Sequence, residues 1–137
     1  MKKLLIFALV TFSLVSCSKS KDEPIPQTTT LTGKWKIIEA KVSAGAGLPT
    51  NWTSINGGYE LSFSDAGTYS TTEYSTCNSG SFSVVNQVIN YTNTCGNTTP
   101  ILKYRILSMT ATELILQDLF CIEECRYKYL KISSVPN

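Results

Sequence analysis

The chain has 137 residues, with 12 Lys and Arg residues against 10 Asp and Glu residues, and it contains no histidine. The near balance of charge argues against a nucleic-acid partner, because such a partner needs a strongly basic surface. The lack of histidine excludes histidine-based catalytic triads and removes the most common metal ligand. We therefore expect a protein that is not an enzyme and that has no metal or cofactor site.

Residues 1–16 have the three parts of a secretory signal, namely two lysines, a mostly apolar run and a small residue before the cleavage site. The run is too short to span a bilayer permanently, so we predict that it is removed. The segment Leu14-Val15-Ser16-Cys17 resembles the lipobox of bacterial lipoproteins. This resemblance implies that Cys17 carries a lipid that anchors the chain in the outer membrane. The alternative is an ordinary signal peptide followed by an incidental cysteine.

Residues 17–30 begin with the lipidated cysteine and continue as a polar segment with two prolines and no periodicity. Such a composition predicts a flexible tether. Within it, Lys21-Asp22-Glu23 resembles the short signal, a lysine followed by acidic residues, that sends some Gram-negative lipoproteins to the cell surface. A charged linker has the same composition, so exposure at the cell surface and a location facing the periplasm both stay open.

Residues 31–137 contain runs rich in Val, Ile, Thr, Tyr and Phe, separated by clusters of Gly, Asn, Asp and Ser, which is typical of consecutive β-strands. Alternation such as Tyr59-Leu61-Phe63 gives each strand one face for a core and one for water. We predict one domain with eight strands, over residues 33–42, 58–64, 68–74, 80–85, 87–92, 101–109, 112–118 and 125–132.

Short turns join most of these strands, so we predict an all-β fold, an eight-stranded up-and-down antiparallel barrel. Closure into a barrel removes both sheet edges. A β-sandwich is the alternative, but it requires crossover connections that the short loops do not supply.

The segment Leu31-Thr32-Gly33-Lys34-Trp35-Lys36-Ile37 resembles the Gly-x-Trp motif that opens the first strand of lipocalins. The resemblance implies a lipocalin-like barrel whose narrow end is closed by Trp35, with Lys131 in the place of the basic residue that stacks over this tryptophan. It also implies that the open end binds a small apolar or amphipathic ligand.

In an up-and-down barrel, the loops after alternate strands lie at one end, which is here the end opposite the tether. The longest of these loops, 43–57, contains Leu48 and Trp52, and it corresponds to the loop that covers the ligand entrance in lipocalins. The same end is predicted to carry Cys77, Cys95, Cys121 and Cys125.

These four cysteines permit three pairings. An exported protein usually oxidises its cysteines. We favour Cys77 with Cys95, which would join the ends of next-but-one strands, and Cys121 with Cys125, which would close the turn between the last two strands. A zinc site is the rival, although the cysteine spacing does not match two close pairs. The disulfides either hold a binding rim rigid or simply stabilise a small domain.

Two further residues are candidates for the ligand site. If Trp35 and Ile37 face the interior, alternation also places Glu39 inside, where its carboxylate needs a partner or a ligand. The alternative is a bulge after Ile38 that leaves Glu39 in solvent. Tyr104 is a candidate because its phenol could donate a hydrogen bond to such a carboxylate.

The sequence thus predicts a membrane-anchored lipoprotein that binds a small apolar or amphipathic ligand. The alternative is a structural, accessory or inhibitory envelope lipoprotein that contacts a protein partner through its loop rim, with a barrel interior filled by side chains.

Overall fold

The structure, a computed structural model, describes residues 30–43, 51–93 and 102–135. Within these ranges the chain forms nine β-strands and no helix. The strands are β1 (Gly33–Val42), β2 (Thr53–Ser54), β3 (Glu60–Phe63), β4 (Thr68–Thr71), β5 (Ser79–Val85), β6 (Val88–Asn93), β7 (Lys103–Met109), β8 (Glu113–Asp118) and β9 (Cys125–Ser133).

Eight of these strands form a closed antiparallel barrel. Strands β3 to β9 pair in chain order, and β1 pairs with β3 on one side and with β9 on the other. The predicted eight-stranded up-and-down barrel is confirmed, and the sandwich alternative is wrong. The additional β2 is a two-residue strand that pairs with Glu39 and Ala40 of β1. This segment lies within the predicted long loop 43–57, so β2 is an addition to the eight predicted strands.

Most strand bounds lie close to the predicted ones, and β1 matches its prediction at both ends. The clearest difference is β4, which ends at Thr71 rather than at residue 74. The Thr71 hydroxyl accepts a hydrogen bond from the backbone N–H of Glu73 at 3.1 Å. Such a local bond competes with strand pairing, and β4 ends at this point.

The barrel interior is filled mainly by large side chains. Aromatic rings stack edge to face along it, with ring centroids 5.0 Å apart for Phe63 and Phe82 and 4.6 Å apart for Tyr69 and Tyr91. Such pairs bury much apolar area in a fixed geometry. The side chains with almost no exposure are Trp35, Ile37, Phe63, Ile89, Leu114, Leu116 and Tyr129.

Trp35 closes the end of the barrel where the described chain begins. Its side chain is fully buried, and its indole Nε1 donates a hydrogen bond to the carbonyl of Leu31 at 2.7 Å. The ammonium group of Lys131 lies 4.9 Å from the centroid of the indole, a cation–π distance. Gly33 has a φ of 124°, and a Cβ there would overlap the Ser133 carbonyl oxygen, so this position requires glycine.

The two tryptophans provide a test of this closure. Because Trp35 is buried and hydrogen-bonded, we expect Trp35→Ala to lower the free energy of unfolding by about 3–5 kcal/mol. The matched control is Trp52→Ala, for which we expect a loss of about 1 kcal/mol or less, since Trp52 is only partly buried. The measurement is urea unfolding followed by circular dichroism. Equal losses in the two variants would contradict the assigned role of Trp35.

Candidate functional site

A small chamber lies inside the barrel at the end opposite Trp35. Its volume is about 30 Å³, and it opens into a wider outer bowl of about 520 Å³. The chamber and the bowl share Glu73, Tyr74, Cys77, Asn93 and Leu102. The described residues that line the chamber are Tyr59, Leu61, Tyr69, Thr71, Glu73, Tyr74, Cys77, Tyr91, Asn93, Leu102, Tyr104, Leu116 and Tyr129.

Tyrosines supply much of the chamber wall. Tyr69, Tyr91, Tyr104 and Tyr129 lie on β4, β6, β7 and β9, and each points inward through the two-residue alternation of its strand. Tyr59 lies just before β3, and its hydroxyl shares a 2.9 Å hydrogen bond with the hydroxyl of Tyr129. The site residue Tyr104, proposed from the sequence, is therefore part of the chamber.

Two buried polar atoms in the chamber wall have no hydrogen-bond partner among the described residues. They are the hydroxyl oxygen of Tyr91 and the Oδ1 oxygen of Asn93. Tyr91 is 4% exposed and Asn93 is 7% exposed. A buried polar atom without a partner costs about 1–3 kcal/mol, so these two oxygens are candidates for contact with a polar group. Both belong to β6, two residues apart, and hence share one face.

The phenols of this wall stay neutral at physiological pH. Burial raises the pKa of Tyr59 and of Tyr104, and it raises the pKa of Tyr91 and Tyr129 well above the usual value. A neutral phenol both donates and accepts a hydrogen bond. The chamber therefore offers hydroxyl groups of fixed charge state and not phenolate nucleophiles.

Glu73 brings a carboxylate to the boundary between the chamber and the bowl. Partial burial raises the pKa of Glu73, and a hydrogen bond from the Tyr74 hydroxyl opposes part of this rise. Neither Lys nor Arg occurs among the described residues that line the chamber or the bowl. The entrance therefore has an unfavourable potential for anions.

Glu39 does not reach this chamber. Ile37 is in register with Tyr129, whereas Glu39 is in register with Lys128, so Ile38 is the extra residue of a β-bulge. The bulge reverses the alternation of β1, and Glu39 lies on the outer face, where it forms an ion pair with Lys128. The prediction of an inward Glu39 is wrong, and the alternative of a bulge in this part of β1 is observed.

The predicted lid also differs from the structure. Trp52 lines neither the chamber nor the bowl, because the ammonium group of Lys128 holds its ring on the outer face, 4.7 Å from the ring centroid. The prediction that Trp52 covers the entrance is therefore wrong. Leu48, the other lid residue, lies outside the described residues.

Cysteines stand at the same end of the barrel. Cys121 and Cys125 form a disulfide with a Cα–Cα distance of 5.9 Å, which confirms this predicted pair. Cys77 lines the chamber and is also disulfide-bonded. Its predicted partner Cys95 lies outside the described residues, as does Cys17, so the pairing of Cys77 stays a prediction.

Comparison with known proteins agrees with this architecture. A family model described as a lipocalin-like domain matches residues 31–116, which is more than half of the chain. The chain belongs to the lipocalin-like domain family. No curated protein matches it at a significant level. The matched residues include Gly33 and Trp35, the two positions that carried the resemblance in the sequence, and they extend as far as Leu116 in the chamber wall.

We also searched the described ranges for metal sites and for membrane-spanning helices. No group of three or more acidic, cysteine or histidine side chains comes together there as a metal site. No helix that could cross a membrane occurs in residues 30–43, 51–93 and 102–135.

Glu73, Tyr91 and Asn93 were not among the site residues predicted from the sequence. For β6 a usable signal existed, since Ile89, Tyr91 and Asn93 alternate with Asn90 and Thr92 and therefore share a face. For Glu73 the same signal existed, because Tyr69, Thr71 and Glu73 alternate within the predicted strand 68–74, and all three line the chamber.

Two tyrosine-to-phenylalanine variants test whether the Tyr91 hydroxyl lacks a hydrogen-bond partner. We expect Tyr91→Phe to leave the free energy of unfolding unchanged or to raise it by up to about 1–3 kcal/mol, because the variant no longer buries an unsatisfied hydroxyl. We expect Tyr129→Phe to lower it by about 0.5–1.5 kcal/mol, because Tyr59 then loses its hydrogen bond. Both are measured by urea unfolding. A loss in Tyr91→Phe as large as that in Tyr129→Phe would show that the Tyr91 hydroxyl is already satisfied.

Proposed function

We propose that this lipocalin-like domain binds a small amphipathic molecule at the open end of its barrel. The polar group of the ligand enters the chamber, and its apolar part occupies the bowl. The observation that carries this proposal is the pair of buried, unpartnered oxygens on Tyr91 and Asn93. A bound polar group would remove their desolvation cost, which protein folding alone leaves in place.

The volumes support binding at the entrance rather than along the barrel axis. A chamber of about 30 Å³ accepts a group the size of a water molecule. Ligand sites for small molecules usually occupy about 300–1,000 Å³, a range that includes the bowl but not the chamber. The bowl also offers apolar contact, because Tyr74 and Leu102 line it and Tyr74 is half-exposed.

The proposal includes attachment of the domain to the outer membrane through a lipid on Cys17. In the described chain, Thr30 and Gly33 lie beside Lys131, at the barrel end closed by Trp35. A tether that leaves from this end would turn the ligand entrance away from the membrane. Under this arrangement the ligand comes from the aqueous side, either in the periplasm or at the cell surface.

A second candidate function is supported by one further observation. The turn after β8 exposes Leu119, Phe120 and Ile122 next to the Cys121–Cys125 disulfide. Exposed apolar side chains on a rigid turn are suited to contact with another envelope protein. In that case the domain acts as an accessory or inhibitory lipoprotein. Under either function, the domain acts by binding and not by catalysis.

The first test is native mass spectrometry of the full chain carrying Cys17→Ser, produced under oxidising conditions. We expect gentle ionisation to retain one small molecule per chain, and denaturing ionisation to release it. In Tyr91→Phe we expect this occupancy to fall severalfold, because one polar partner is lost. Trp52→Ala is the control and should keep its occupancy. A wild-type chain without retained mass, and without binding of added amphiphiles, would contradict the ligand-binding proposal.

A further inference from the structure

We propose that the polar group that this site accepts is an amine in its ammonium form, so that the ligand is a cationic amphiphile. This inference rests on the proposed binding function and specifies its ligand class. It depends on which hydrogen-bonding atoms converge at the chamber, on the charge of the entrance, and on the size of the chamber.

The hydrogen-bonding atoms that lack partners are suited to a donor. The Oδ1 atom of Asn93 only accepts hydrogen bonds, and the hydroxyl oxygen of Tyr91 has lone pairs that accept them. The Glu73 carboxylate adds a third acceptor to the same chamber wall. An alkylammonium group carries three N–H donors and no acceptor. The unpartnered oxygens of Tyr91 and Asn93 can each accept a hydrogen bond from such a group, and Glu73, which interacts electrostatically with Tyr91, adds a negative charge beside them.

The charge of the entrance points to the same class. Glu73 is the one charged side chain among the described residues that line the chamber or the bowl. A fatty-acid carboxylate would bring a second anion beside it, and it would also place acceptors against the Oδ1 atom of Asn93. A neutral alcohol can donate to only one of the three acceptors. A cation instead gains from the partly desolvated carboxylate.

The size of the chamber fits an ammonium group and excludes larger heads. A volume of about 30 Å³ admits one group of the size of water, which includes a primary ammonium but not a sugar ring or a phosphate ester with its substituents. The alkyl chain then continues past Leu102 and Tyr74 into the bowl, which these two residues line.

The surroundings of Glu73 give this binding a definite pH dependence. The titratable groups that interact with Glu73 are phenols whose pKa is raised by burial, so they stay neutral over the relevant range: Tyr59, Tyr74, Tyr91, Tyr104 and Tyr127. Asp118 acts on three of these phenols and is a second acidic group near the entrance. Protonation of Glu73 removes its charge, so the affinity for an amine should fall as the pH decreases through the raised pKa of this carboxyl.

The test compares three probes with the same chain length, namely decylamine, decanol and decanoate, each below its micelle concentration. Their affinities for the full chain carrying Cys17→Ser are measured by isothermal titration calorimetry at neutral pH, and the affinity for decylamine is also measured at a series of lower pH values. We expect decylamine to bind at least about tenfold more tightly than decanoate. We expect Glu73→Gln to lower the affinity for decylamine by about tenfold and to change the affinity for decanol by less than about twofold. The same variant should abolish the pH dependence of decylamine binding.

The matched control is Glu123→Gln, which removes an exposed carboxylate from the turn between β8 and β9 without changing the chamber. Glu123→Gln should keep the affinity for decylamine within about twofold of the wild-type value. This result distinguishes direct contact of the amine with Glu73 from general electrostatic attraction to the chain. Retained decanol binding shows that Glu73→Gln is folded. If decanoate binds as tightly as decylamine, or if the two variants weaken decylamine equally, the amine inference is overturned while the binding function stands. If none of the three probes binds, the binding function itself fails.

Discussion

Closure of the barrel through β1 is the constraint on which the rest of this structure depends. One ten-residue strand pairs with β3 near its beginning and with β9 along most of its length, so that the sheet has no free edge on either side of it. Closure gives every strand an inner and an outer face. Every second side chain of a strand points inward, and these side chains fill the barrel. In this chain those side chains are large and aromatic. Trp35 fills the closed end, stacked rings fill the middle, and only the last layer leaves room.

This filling explains why the proposed binding site lies at the entrance of the barrel. Because bulky side chains occupy the interior, a ligand would reach only the last layer of inward residues, where Tyr91 and Asn93 present unpartnered oxygens. The desolvation cost of these two oxygens is not offset by hydrogen bonds within the described fold. Unsatisfied buried polar groups of this kind are often found at functional sites. The Cys121–Cys125 disulfide and the bond made by Cys77 stand at this same end.

The fold could be predicted from the sequence to a large extent, and the site only in part. Period-two alternation locates strands because burial of one face requires it, and the Gly-x-Trp motif identified the closed end. Alternation failed at Glu39 because a bulge adds one residue without any change in composition, and the pairing with Lys128 becomes visible only in three dimensions. Trp52 was misplaced for a related reason, since its cation–π contact is made with a residue 76 positions away in the sequence. Glu73 lies just beyond the observed end of β4, but alternation within the predicted strand 68–74 places it on the face of Tyr69 and Thr71, and all three line the chamber.

The central claim is that the last inward layer of a filled barrel binds the polar group of an amphipathic ligand. The most direct measurement is a crystal structure of the complex of the Cys17→Ser chain with decylamine. We expect the ligand nitrogen about 2.7–3.2 Å from the Tyr91 hydroxyl and from Oδ1 of Asn93, with the alkyl chain against Tyr74 and Leu102. A ligand bound beside Trp35 in the interior, or on the outer face near Trp52, would contradict it.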